Sequence, residues 1–183
     1  MALDDAARAD LVHLVRSYGY EYRDPPFRLT SGGWSHDYVD GKHAIATGPA
    51  LGRASQGVID VVARPFDLVG GPTMGADALA HGVALLAGSS WFSVRKEPKG
   101  HGRGAWVEGA RLEAGQTAVV LDDVVSTGAS LLKAVERVRE LGVEVVAATA
   151  LLDRSPSVGP RMAAEGVAWV PLLTWADIGI EPL

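Results

Sequence analysis

Two carboxylates and a run of small hydroxylated residues stand in immediate succession in this chain, in the stretch TAVVLDDVVSTGAS from Thr117 to Ser130. AVVL has the composition of a buried strand. The spacing of Leu131, Ala134, Val135, Val138 and Leu141 predicts a helix directly after STGAS. A strand, a tight loop and a helix N-terminus suit a phosphate: free backbone amides and the helix dipole favour an anion, and the hydroxyls of Ser126, Thr127 and Ser130 add donors. Gly128 permits close backbone approach. Asp122 and Asp123 would repel that phosphate unless a neutral group lies between. A ribose satisfies this condition, since its 2′- and 3′-hydroxyls can donate to the carboxylates while its 5′-phosphate lies in the amide nest. Negative charge beside C1′ would also stabilise an oxocarbenium-like transition state.

Taken alone, the acid pair is equally compatible with a capped turn. Two other phosphate chemistries also place aspartates at strand ends, the phosphoacceptor receiver and the nucleoside triphosphatase. The chain lacks G-x-x-x-x-G-K-[ST] and G-x-G-x-x-G. A receiver's first acidic pair would be expected near the first strand, where none stands.

A second cluster lies upstream. RKEPKGH places Arg95, Lys96, Lys99 and His101 close together, with glycines at 100, 102 and 104 and with Pro98 preventing a continuous helix. Such a run is usually a solvated surface loop. Beside a ribose-phosphate site it has a further use, because a closing cationic loop neutralises charge developing on a departing pyrophosphate and excludes water.

The elements that must position these groups follow from apolar periodicity. Ala7, Leu11, Leu14, Val15 and Tyr18 mark one face of an N-terminal helix that stops at Gly19. Residues 27–45 are aromatic and turn-rich, an appendage with short strand-like pieces. Beyond Pro49, helix and apolar strand alternate: a helix to Ala63, the strand DLVGG, a helix over 75–87, the strand WFSVR, TAVVLDD, a helix over 127–141, and strands over 143–152 and near 167–172. Uniformly apolar strands separated by helices predict an α/β fold, with a central parallel sheet flanked by helices on both faces. Ligands then bind beyond the carboxyl ends of the strands, at 70–75, 95–104, 122–130 and 153–157.

Bulk properties agree. With 183 residues, 48 % of them apolar, the chain has material for one full core. A net charge of −5 argues against broad nucleic-acid binding but not against a local anion site. The absence of cysteine excludes disulfides, thiolate metal sites and cysteine nucleophiles. The N-terminus carries acids where a signal peptide carries bases, and no apolar run is of membrane-spanning length, so the expected location is cytoplasmic.

Taken whole, the strand-end segment resembles the phosphoribosyl pyrophosphate (PRPP) signature of the type I phosphoribosyltransferases. RKEPKGHG resembles the catalytic loop of the orotate phosphoribosyltransferases within that family, Arg-Lys-Glu-x-Lys-x-His-Gly. The resemblance runs from the N-terminal helix nearly to the end. It implies a single type I phosphoribosyltransferase domain over 1–183, with a helix and small hood over about 1–45 and a PRPP-binding core over about 46–183. It implies that Arg95, Lys96, Lys99, His101, Asp122, Asp123, Val124, Val125, Ser126, Thr127, Gly128, Ala129 and Ser130 bind PRPP. Lys99, His101, Asp122 and Asp123 take catalytic positions, Arg154 faces the orotate carboxylate, and Ser126 contacts the base. The expected cofactor is Mg²⁺, carried mainly by PRPP with no protein-only metal cage. The expected assembly is a homodimer with shared active sites and no nucleic-acid or membrane partner. Three positions depart from the pattern: Thr30, Gly33 and Met74 stand where many members carry a cation, which bears on PRPP affinity or base choice.

Overall fold

A computed structural model describes residues 3–29, 32–98 and 106–183. Helix α1 (Asp5–Leu14) starts where the Asp4 carboxylate accepts from Ala7 N, a helix cap, and buries Leu11 and Leu14. It runs on through a π-helical turn, Val15–Gly19. The hood is an antiparallel hairpin of β1 (Tyr20–Arg28) and β2 (Trp34–Val39). It therefore begins at Tyr20 rather than at Phe27. The pairing register shifts between Tyr22 and Phe27, across Pro25 and Pro26, which have no N–H for a ladder. A single turn, α2 (Gly41–Ala44), capped by Asp40, leads to α3 (Gly48–Val62). Thr47 caps α3, and Pro49 sits in its first turn, where a missing N–H is tolerated.

Next come β3 (Leu68–Pro72), α4 (Asp77–Ala87), β4 (Ser90–Val94), β5 (Val107–Gly109), β6 (Thr117–Val125), α5 (Ala129–Arg139), β7 (Glu144–Asp153), α6 (Val158–Ala164) and β8 (Leu173–Thr174). The main sheet has the order β5-β4-β3-β6-β7-β8. All pairs are parallel except β4–β5, where the chain returns antiparallel across the basic loop. Strand β5, three half-exposed residues, is too short to register as a period. The strand expected near 167–172 lies alongside β7, with Val170 N and Leu172 N donating to Ala148 O and Ala150 O. Pro171 between them donates nothing, and regular pairing begins only at Leu173. Helix α6, with Gly159 and Pro160 in its first turn, was not foreseen.

The sheet is buried on both faces, as its apolar strands require. Val69, Val119, Leu121 and Leu151 face a core shared with α1, α3 and α4. Leu68, Ala118, Val120 and Ala150 face a second core with α5 and α6, since successive strand residues point to opposite sides. Two packed faces hold the carboxyl ends of β3, β6 and β7 side by side.

Candidate active site

Strand β6 carries the acid pair at its carboxyl end, where Asp122 pairs with Ala150 and Val125 with Asp153. Asp123 is buried, and its N–H donates to Asp122 Oδ1 at 2.9 Å. Both carboxylates point at the loop after β3: a Cβ at Gly75 would lie 2.2 Å from Asp122 Oδ1 and 2.5 Å from Asp123 Oδ1. Only glycine leaves that space open. Burial, and then the charge on Asp123, pushes the Asp122 carboxyl well above the usual carboxylate range.

The loop after the acids encloses a small polar cavity of about 190 Å³ lined by Asp122 and residues 124–131. Gly128 turns it with φ +74° and packs against Val158 of α6. Arg161 of the same helix donates to Thr127 O, so α6 buttresses the loop from behind. Ser126 is half-buried, while Thr127 and Ser130 are exposed at the α5 N-terminus.

Arg154 follows β7, and its N–H donates to Val125 O at 2.8 Å, which sets it beside the start of the STGAS loop. Its side chain is only 3 % exposed. Nη1 donates to Asp37 O of the hood at 2.8 Å, while Nε and Nη2 are buried with no hydrogen-bond partner among the described residues. Burial pulls the guanidinium pKa down, opposed by the nearby charge of Asp37. Around it, Tyr20 Oη donates to Asp37 Oδ1 at 2.9 Å, and Asp153 is held by Trp169 Nε1 at 2.8 Å and Ser155 N at 2.9 Å.

The structure brings Arg95 and Lys96 to the carboxyl end of β4, where Arg95 N donates to Trp106 O and closes the base of the basic loop. They line a cavity of about 410 Å³ with Trp106, Ser130 and Lys133. Arg95 Nη1 lies 3.4 Å from Glu108 Oε1. Lys99 and His101 lie outside the described residues, as does Thr30. Met74 is largely exposed beside Gly75 and presents no charge there.

Four functional candidates escaped the reading of the sequence: Lys42, Asp37, Tyr20 and Trp169. Lys42 Nζ lies 3.2 Å from Asp123 Oδ2 and 3.4 Å from Asp40 Oδ1. A cap at Asp40 followed by a lysine was the available signal. For Asp37, Tyr20 and Trp169 nothing local distinguishes them from ordinary hairpin or strand residues. No group of three or more His, Asp or Glu side chains suited to hold a metal occurs among the described residues. The hard oxygen donors at this site are the Asp122–Asp123 pair, which fits an ion that arrives on a substrate's own oxygens better than a protein cage.

A mainly parallel sheet with strand-end acids, a small polar loop cavity after them and a glycine-opened loop opposite accords with a phosphoribosyl transferase domain, and that family matches residues 46–165. The chain is 36 % identical to the orotate phosphoribosyltransferase of Rhodopirellula baltica, over 97 % of this chain and 98 % of the relative. It is 36 % identical to that of Methanothermobacter thermautotrophicus over 93 % of each. The crystal structure of Mycobacterium tuberculosis orotate phosphoribosyltransferase in complex with PRPP superposes with a TM-score of 0.79 at 30 % identity, covering 95 % of this chain and 99 % of that one. The chain belongs to the orotate phosphoribosyltransferase family.

Proposed function

We propose that this protein transfers the 5-phosphoribosyl group of PRPP to orotate, giving orotidine 5′-monophosphate and pyrophosphate. The observation that carries the reading is the buried Arg154, whose Nε–Nη2 edge is satisfied by no described residue. A planar fork of two N–H donors is the complement of a carboxylate, and orotate is the pyrimidine that carries one. Arg154 stands beside Ser126, so a base held there lies against the ribose subsite.

In this mechanism N1 of the base attacks C1′ as the C1′–O bond to pyrophosphate breaks, without a covalent enzyme intermediate. Asp122 and Asp123 accept from the ribose hydroxyls and their charge favours the oxocarbenium-like transition state. The amides and hydroxyls of residues 126–130 hold the 5′-phosphate. Arg95, Lys96, Lys99 and His101 neutralise the leaving pyrophosphate, and His101 donates a proton or a hydrogen bond to it. Asp122 and Asp123 would be the side chains to hold a Mg²⁺ brought in by PRPP, which would supply further neutralisation of the leaving group. The proposed working form is a cytoplasmic homodimer, with the basic loop of one subunit reaching the site of its partner.

Two observations favour a second reading, a related transferase for another base. Asp37 adds a carboxylate near Arg154, and Met74 adds no cation at Gly75. The test is a base panel. Parent protein with PRPP and Mg²⁺ should release pyrophosphate with orotate; release only with another base would overturn the orotate assignment. Lys99→Ala and Asp123→Asn should abolish most of the turnover with any base.

A further inference from the structure

The ribose-facing carboxylate of Asp123 is tied to a lysine from a different part of the chain. Lys42 Nζ sits 3.2 Å from Asp123 Oδ2, and among the described residues it is the cation ion-paired with that acid. Lys42 is itself fixed. Asp40 caps α2 by accepting from His43 N at 3.1 Å and holds Lys42 Nζ at 3.4 Å. The turn is also pressed against the strand end, because a Cβ at Gly41 would lie 2.9 Å from Asp123 Cβ and 2.9 Å from a methyl of Val124. The two oxygens of Asp123 therefore face different groups. Oδ2 meets Lys42, and Oδ1 is turned to the opening over Gly75, next to Asp122 Oδ1.

From this geometry we infer that Lys42 is a positioning residue for the transfer reaction: it grips one oxygen of Asp123 so that the other is presented, as an acceptor, to a ribose hydroxyl. The physical need is clear from the crowding of the pair. Two neighbouring carboxylates in a half-buried site repel, and without a cation one of them rotates away from the opening or takes up a proton and loses its charge. Lys42 counters that repulsion from the side opposite the substrate. It does not touch the reacting atoms. The same short segment joins both subsites, since Asp37, five residues earlier, accepts from Arg154.

This inference rests on the ribose-phosphate reading of the site, and the test separates the two. Calorimetric titration with ribose 5-phosphate and with inorganic phosphate, on parent, Lys42→Met and Lys42→Arg, isolates the affinity that the ribose adds. The parent should bind ribose 5-phosphate more tightly than phosphate. Lys42→Met should lose ~10-fold of the ribose 5-phosphate affinity, about one factor of ten in the constant, with phosphate binding and melting temperature unchanged. Lys42→Arg should regain most of it, and the KM for PRPP should follow the same order. Retention of the ribose-dependent gain in Lys42→Met would overturn the proposal. So would a parallel loss of phosphate binding and melting temperature, the mark of a merely structural role. A parent without preference for ribose 5-phosphate would instead remove the ribose-phosphate reading, and the role of Lys42 with it.

Discussion

Arg154 Nη1 donates to the backbone oxygen of Asp37 at 2.8 Å, so the hood hairpin orients a buried guanidinium that belongs to the core. The bond takes one corner of the fork, and the Nε–Nη2 edge, buried without a partner among the described residues, is the one proposed to meet the orotate carboxylate. Arg154→Lys keeps the charge but supplies a point donor where a planar pair is needed. Loss of a desolvated, hydrogen-bonded charge pair costs about 2–5 kcal/mol, so kcat/KM for orotate should fall ~30-fold or more. Binding of ribose 5-phosphate should stay within a factor of about two, which calorimetry would check.

That relationship also marks where the sequence stops being legible. Asp122, Asp123 and the STGAS residues lie consecutively, so their joint chemistry can be read from one segment. Arg154 and Asp37 are 117 positions apart, and Lys42 and Asp123 are 81 apart. Only the packing of hood on core brings them together. The parallel strands were readable because burial on both faces makes them continuously apolar, as LVGG and AVVL are. Strand β5 and helix α6 were not. The first is three residues long, and the second opens on Gly159-Pro160, which reads as a turn.

The acid pair gives the fold a pH dependence of a defined sign. Burial, then the Asp123 charge, raises the Asp122 pKa well above its ordinary 3.8. A carboxyl whose pKa rises on folding stabilises the native state fully below its unfolded pKa, and this contribution is lost as pH climbs through the folded value. Asp122→Asn never ionises and can still accept from Asp123 N. Its melting temperature should match the parent's in acid and exceed it increasingly toward neutral and alkaline pH, while PRPP turnover falls. A difference in melting temperature that does not change with pH would contradict this account.

Asp177 should behave in the opposite sense. Burial pushes its pKa up, but hydrogen bonds from Thr174 N at 2.7 Å, Thr174 Oγ1 at 2.8 Å and Arg8 at 3.0 Å together bring it below 3.8. Its contribution is present above the unfolded pKa and lost as pH falls through the lowered folded value. Asp177→Ala also removes the Arg8 tie from α1 to the C-terminal segment. Hydrogen bonds to charged groups are worth about 1.5–3 kcal/mol, so at neutral pH thermal unfolding should show a loss of that order. The difference from parent should shrink in acid.

Two neighbouring glycines allow the site to be separated from the fold with one kind of substitution. A Cβ at Gly71 would lie 1.8 Å from Leu121 O, a backbone atom in the middle of the sheet that cannot yield without parting strands. Gly71→Ala should therefore destabilise by about 3 kcal/mol or more, the upper end of core overpacking, and give little soluble folded protein. At Gly75 the obstructing atoms are carboxylate oxygens of Asp122 and Asp123, at 2.2 and 2.5 Å, and these can swing aside. Gly75→Ala should fold with nearly the parent's melting temperature. The displaced carboxylates would no longer converge above residue 75, so ribose 5-phosphate affinity should drop ~10-fold while inorganic phosphate, proposed to sit in the loop after β6, should bind as before. If Gly75→Ala instead unfolds like Gly71→Ala, the opening over residue 75 is a packing requirement of the β3–α4 loop and not the mouth of the ribose site.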